Sequence, residues 1–145
     1  MTNRYPGKDL YFAVDDTGGT QRVLTGVTSV TGLPGQVEHY EAAAVGDSGH
    51  KHVAGLENVR VTVEGWYDDT GTTGSKQVLS ALAGARSEDF LATLTFGPKG
   101  GVAGNEKISG EAKLENLEYP AALGDLVKFR AEFLIQGVVT FATFS

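Results

Sequence analysis

The alternation of apolar and polar positions is clearest between residues 59 and 67. Val59, Val61 and Val63 share one face, and Arg60, Thr62 and Glu64 share the other, as on a strand buried on one side. Trp66 and Tyr67 extend it, and Asp68-Asp69-Thr70-Gly71 ends it with turn-forming residues. The same reading predicts strands over residues 9–14, 21–30 (interrupted at Gly26), 37–44, 53–56, 90–96, 108–119, 126–135 and 138–144. In the late pair, Ile108, Gly110, Ala112, Leu114 and Asn116 oppose Ser109, Glu111, Lys113 and Glu115. Val127, Phe129, Ala131, Phe133 and Ile135 then line one face. One helical window stands out at residues 75–85. Ser75 is placed to cap it, and Val78, Leu79 and Leu82 fall on one side. So short a helix needs a sheet to pack on.

Residues 42–52 interrupt this pattern. They are small and polar and offer nothing to a core, so they predict a loop projecting from the scaffold. Residues 1–8 contain Pro6-Gly7 and predict a flexible arm. The whole spacing is that of a mainly β domain over residues 1–145, a sandwich or barrel with one short flanking helix.

Composition narrows the function. The chain has 145 residues, 20 Gly, no Cys and a formal charge of −6. A single core fits that length, and disulfides and thiolate metal sites are excluded. A protein that grips nucleic acid by its phosphates needs clustered Lys and Arg, which the acidic balance argues against. No apolar leader is legible in MTNRYPGKDL. The longest apolar run, residues 133–144, is broken by Gln136 and Gly137 and is too short to span a bilayer. The expectation is a soluble protein with no membrane partner.

Four features, in order, carry a resemblance to a known family. Thr28-Ser29-Val30-Thr31-Gly32-Leu33 leads into a charged strand around Glu38 to Glu41. A glycine-rich loop then resolves into Val53-Ala54-Gly55-Leu56. Gly65-Trp66-Tyr67-Asp68 precedes the small helix. Ile108-Ser109-Gly110-Glu111-Ala112 leads through Tyr119-Pro120 and Gly124-Asp125 to a final strand pair turning at Gln136-Gly137-Val138. In this order the chain resembles the major tail tube proteins of long non-contractile-tailed, siphovirus-type bacteriophages.

The resemblance implies a β-sandwich with a flanking helix. It implies hexameric rings stacked into a hollow tube in the virion tail, made in the host cytoplasm, through which DNA leaves. It also implies a tape measure protein, a tail terminator and distal tail proteins as partners, and no cofactor. The projecting loop, with Asp47, Ser48, Gly49, His50, Lys51 and His52, becomes a candidate contact between rings, as does the N-terminal arm. Glu38, Glu41, Glu111, Glu115 and Glu118 become candidates for lumen or interface charge. Tube subunits of contractile tails and of type VI-like secretion devices share the fold, and fold alone does not separate them. A monomeric carbohydrate-binding β-sandwich is a rival of another class, for which Tyr11, Tyr40, Trp66 and Tyr67 would have to serve.

Three patterns suggest catalysis or metal binding and fail on inspection. Asp-Thr-Gly occurs at 16–18 and 69–71, as in the paired triplets of aspartic proteases, yet each Asp follows another Asp, and turn formation explains both better. Gly46-Asp47-Ser48-Gly49 lacks a separately placed base and acid, and the chain is too short for two barrels. His50 and His52 share a face of an extended segment, but no further ligand accompanies them. The chain is therefore expected not to be an enzyme.

Overall fold

In the computed structural model, residues 10–35, 37–41, 44, 46, 48–49, 52–57, 59–69, 71, 74–85 and 91–145 are described. Among them are nine strands and one helix. The strands are β1 (Tyr11–Asp15), β2 (Gln21–Val23), β3 (Val27–Thr31), β4 (Val37–Glu41), β5 (His52–Glu57), β6 (Arg60–Trp66), β7 (Ala92–Gly97), β8 (Glu106–Glu118) and β9 (Lys128–Thr143), and the helix α1 (Ser75–Ala85) lies between β6 and β7. Seven strands form one antiparallel sheet in the order β2-β1-β7-β8-β9-β6-β3, and β4 and β5 form a separate hairpin. The mainly β class with one short flanking helix is as the sequence predicts.

β8 and β9 form a long ribbon that unites the sheet. β7 pairs only with residues 108–112 of β8, towards one end of it, and β6 only with residues 128–134 of β9, towards the other. The two wings therefore attach at diagonal positions, and side chains from both enter one apolar cluster. Phe12, Val14 and Leu94 come from one wing, Val61 and Val63 from the other, and Phe129, Ala131 and Phe133 from the ribbon. Helix α1 lies against β8 and adds Val78, Leu79 and Leu82 to the same cluster. This is the apolar face its spacing predicts.

Several boundaries differ from the sequence reading. Residues 21–30 are two strands on opposite edges of the sheet, β2 on β1 and β3 on β6. Gly26, at φ 79°, joins them. Gln136-Gly137-Val138 is a bulge inside one continuous strand, not a turn between two. Between the pairs Ser109↔Thr140 and Glu111↔Gln136 the register moves two residues on β8 and four on β9, with Gly137 at φ 89° absorbing the excess. A second bulge between Leu114 and Asn116 turns Asn116 to the polar side and brings Leu117 opposite Ala131. The N-cap of α1 is Gly74, whose carbonyl accepts from Val78 N–H at 3.2 Å, and the Asp68 carbonyl takes the Lys76 N–H at 3.0 Å. Ser75 is the first helical residue, not the cap.

Candidate functional site

The face of the sheet turned away from the core is polar, and its rows follow from the strand register. One row runs Ser29, Glu64, Arg130, Glu118 across β3, β6, β9 and β8, and the next Thr31, Thr62, Glu132, Asn116. Thr93, Glu111 and Gln136 form another towards the far end. Opposite charges across neighbouring strands meet side by side, the arrangement that stabilises a sheet surface. Arg130 reaches Glu64 at 3.5 Å and Glu132 at 3.2 Å. Arg60 pairs with Glu115, and the Thr93 hydroxyl donates to Glu111 at 2.6 Å. These groups are half exposed, so each pair contributes about 0–1 kcal/mol. Their effect lies in the field they present. On β6, β8 and β9 the carboxylates of Glu64, Glu111, Glu115, Glu118 and Glu132 are matched by Arg60, Lys107, Lys113, Lys128 and Arg130, and both arginines are held by carboxylates.

Three of the five acids singled out in the sequence, Glu111, Glu115 and Glu118, therefore share this face. The other two do not join them. Glu38 and Glu41 sit on β4, in the hairpin that pairs with no strand of the large sheet among the described residues. Two acids that the alternation at residues 59–67 and 126–135 could have supplied, Glu64 and Glu132, complete the set.

The last described pair of the hairpin is Glu41 opposite His52. Ser48 and Gly49 are exposed, and His52, which opens β5, is exposed as well. Asp47, His50 and Lys51 lie outside the described residues, as do residues 1–8 of the arm.

Beside the polar face, near Trp66, lies a groove of about 270 Å³. Gly65 and Phe129 are among its apolar lining, and Glu64, Lys128 and Arg130 are its charged groups. The Lys128 ammonium sits 5.4 Å from the Trp66 ring centroid, a cation–π contact. Tyr67 and Tyr119 pack edge to face with centroids 5.1 Å apart, and the Tyr119 hydroxyl meets that of Ser80 at 2.5 Å. These aromatics tie the helix to the end of the ribbon.

The first Asp-Thr-Gly is a turn, as expected. Asp16 Oδ1 accepts from the Gly18 and Thr20 N–H groups at 2.9 and 3.0 Å, and Oδ2 takes the Arg22 guanidinium at 3.0 Å. The Thr20 amide and Arg22 hold its carboxyl below the usual value. Every oxygen of that carboxylate is committed to closing the β1–β2 turn. The Asp68 carboxylate accepts from the Thr25 hydroxyl at 2.6 Å. No helix among the described residues is long and apolar enough to cross a membrane.

No protein-family model matches the sequence, and no curated protein does. Solved structures do match in fold. The tail of an empty gene transfer agent particle superposes with a TM-score of 0.73 at 12% identity, over 97% of this chain and 100% of that one. The SPP1 tail tube gives 0.68 at 14%, over 97% and 80%. The sheath–tube complex of an extracellular contractile injection system, PVC, gives 0.64 at 12%, over 97% and 92%. The chain has the tail tube fold.

Proposed function

We propose that this chain is the structural subunit of a phage-type tail tube, assembling into stacked rings in the tail of a virion. The observation that carries this reading is a tail tube fold spanning 97% of the chain, shared with phage, gene transfer agent and injection-system tails. Sixfold rings are carried over from the C6 symmetry of the gene transfer agent tail. The polar face with Glu111, Glu115 and Glu118 lines the lumen, where these carboxylates repel the DNA backbone passing through. The hairpin tip, with Asp47, Ser48, Gly49, His50, Lys51 and His52, reaches the next ring, and residues 1–8 reinforce that contact. Glu38 and Glu41 act at subunit boundaries. A tape measure protein, a tail terminator and distal tail proteins complete the assembly. The role is mechanical and needs no cofactor.

The likeness to PVC favours a second reading, in which the same tube works inside a contractile sheath. A sheath protein that binds the assembled tube from outside would select that reading over the non-contractile one.

Negative-stain electron microscopy of the purified protein over a range of concentrations, with and without a lysate holding the other tail proteins, tests the tube. Hollow tubes or stacked rings are expected. Small uniform particles under every condition would overturn the proposal.

A further inference from the structure

The β4–β5 hairpin is the far end of the β3–β6 ribbon. The pairs Ser29↔Glu64 and Thr31↔Thr62 of the one and His39↔Ala54 and Glu41↔His52 of the other keep a single register. Continued straight, β5 would therefore run on from β6 along the last part of β9. It does not: β4 and β5 form a sheet of their own. β6 leaves β9 at Arg60↔Leu134, with one further bond from the Ile135 N–H to the Val59 carbonyl at 3.0 Å. Both sides of this split bend at the same level. On β9 the bulge at residues 136–138 spends two residues more than β8 does, which turns the strand. On the ribbon, Gly32 and Gly35 close against residues 59 and 60. A Cβ on Gly32 would collide with the Arg60 carbonyl oxygen, and one on Gly35 would lie 2.5 Å from Val59 Cγ2. Val59 is itself buried, so the bend is close-packed and holds the hairpin off its own β9.

The split leaves two strand edges apart. Residues 140–143 pair with β8 and with no other strand among the described residues, and all four are exposed. Phe141 stands opposite buried Ile108, on the core side of the sheet, and is still 61% exposed. We infer that the two edges meet between copies: β5 of one subunit adds to the sheet of the next, antiparallel to residues 140–143 of its β9. The inference rests on the tail tube reading and names a contact within it. Three observations select a second copy as the occupant. A two-stranded hairpin is marginal in water without a third strand or other packing, so β4–β5 calls for a further partner. Its own β9, the strand its register fits, is excluded by the packed bend. A second copy presents that same β9 edge, and each chain carries one donor and one acceptor edge. Exchange of this kind is head to tail and propagates into rings or filaments. It also covers an edge that would otherwise template unspecific pairing.

The chain has no Cys, so engineered cross-links report the pairing directly. Counted from Arg60↔Leu134, Ala54 comes opposite Thr140 on a straight β9 and opposite Ala142 once the bulge is included. Neighbouring strands lie about 4.8 Å apart, within reach of a disulfide. Ala54→Cys is combined in full-length protein with Thr140→Cys or with Ala142→Cys, assembled reduced and then oxidised. One of the two pairs is expected to give a ladder of linked chains on a non-reducing gel. The matching single variants, mixed and assembled together, are expected to give linked dimers. A disulfide closing within one chain would place the hairpin on its own β9 and overturn the inference. Normal tubes in which neither pair links would overturn this contact and leave the tail tube reading standing. Phe141→Lys, checked for native circular dichroism, sets a charge beside the β9 edge and is expected to raise the concentration needed for tubes about tenfold or more. Unchanged assembly of that variant would also overturn the contact, and it decides the matter if the cysteine variants themselves fail to assemble. Wild-type protein that never assembles, even with the tail-protein lysate, would overturn the tail tube reading itself.

Discussion

Gly65 marks a tight crossing in the sheet. A Cβ built there lies 2.4 Å from the Gly26 carbonyl oxygen, 2.6 Å from Phe129 Cε1 and 2.9 Å from Val27 Cα. Two of those atoms are backbone, and Phe129 is 1% exposed, so none can move aside easily. Gly65→Ala is therefore expected to destabilise the subunit by about 1–3 kcal/mol, the usual effect of overpacking. Urea unfolding of unassembled protein would show it as a lower midpoint with an unchanged slope. A change within about 0.5 kcal/mol, typical of an unconstrained surface site, would mean the crossing yields. Nothing in the sequence singles Gly65 out, because it occupies an ordinary inward position of an alternating strand. Its constraint comes from Gly26 and Val27, nearly forty positions away, and from Phe129. The Asp16 turn is the opposite case. Asp16, Gly18, Thr20 and Arg22 are local, and residue type alone was enough to read residues 15–19 as a turn.

Elements whose packing follows from their own periodicity were legible. The β6 alternation, the apolar face of α1 and the inward Phe129–Ile135 series all stand as the spacing implies, because burial on one side writes a period into the strand or helix. What was not legible was which strand pairs with which. Gln136-Gly137-Val138 looks the same as a hairpin turn or as a bulge until β8 is found running past it without a break. Likewise β2 and β3 are neighbours in sequence but sit on opposite edges, and only long-range pairing shows it. The same gap explains why the five acids were read as one set when the structure divides them between sheet and hairpin. The hairpin gives an element-scale prediction. Deleting residues 47–51 leaves 42–46 between Glu41 and His52, a length at which hairpins still close. The seven-stranded sheet, which among the described residues pairs with neither β4 nor β5, should keep its unfolding midpoint while ring stacking fails, leaving single rings under the microscope. Tubes of normal length from this deletion would remove the hairpin tip from the stacking contact.

At the scale of the assembled tube, the polar face matters through its summed field. On the proposed reading, repeating one subunit around a ring and along a stack repeats these carboxylates at every step. Such a wall acts on DNA within a Debye length, about 8 Å at physiological salt and about 30 Å at 0.01 M. Arg60 is held by Glu115 and Arg130 by Glu64 and Glu132, so the guanidiniums are turned to carboxylates and not left to seize phosphates. Replacing Glu111 and Glu115 with Lys should reverse both effects, because it adds two cations per subunit and releases Arg60. Particles built with this variant are expected to form tubes but to release their DNA more slowly, with the delay greatest at low salt and fading as salt screens the wall. Glu111→Gln with Glu115→Gln should give an intermediate delay, since it removes charge without adding cations. If neither variant alters release at low salt while tubes form normally, this face does not line the channel. The lumen would then have to be sought on the hairpin side, where Glu38 and Glu41 lie.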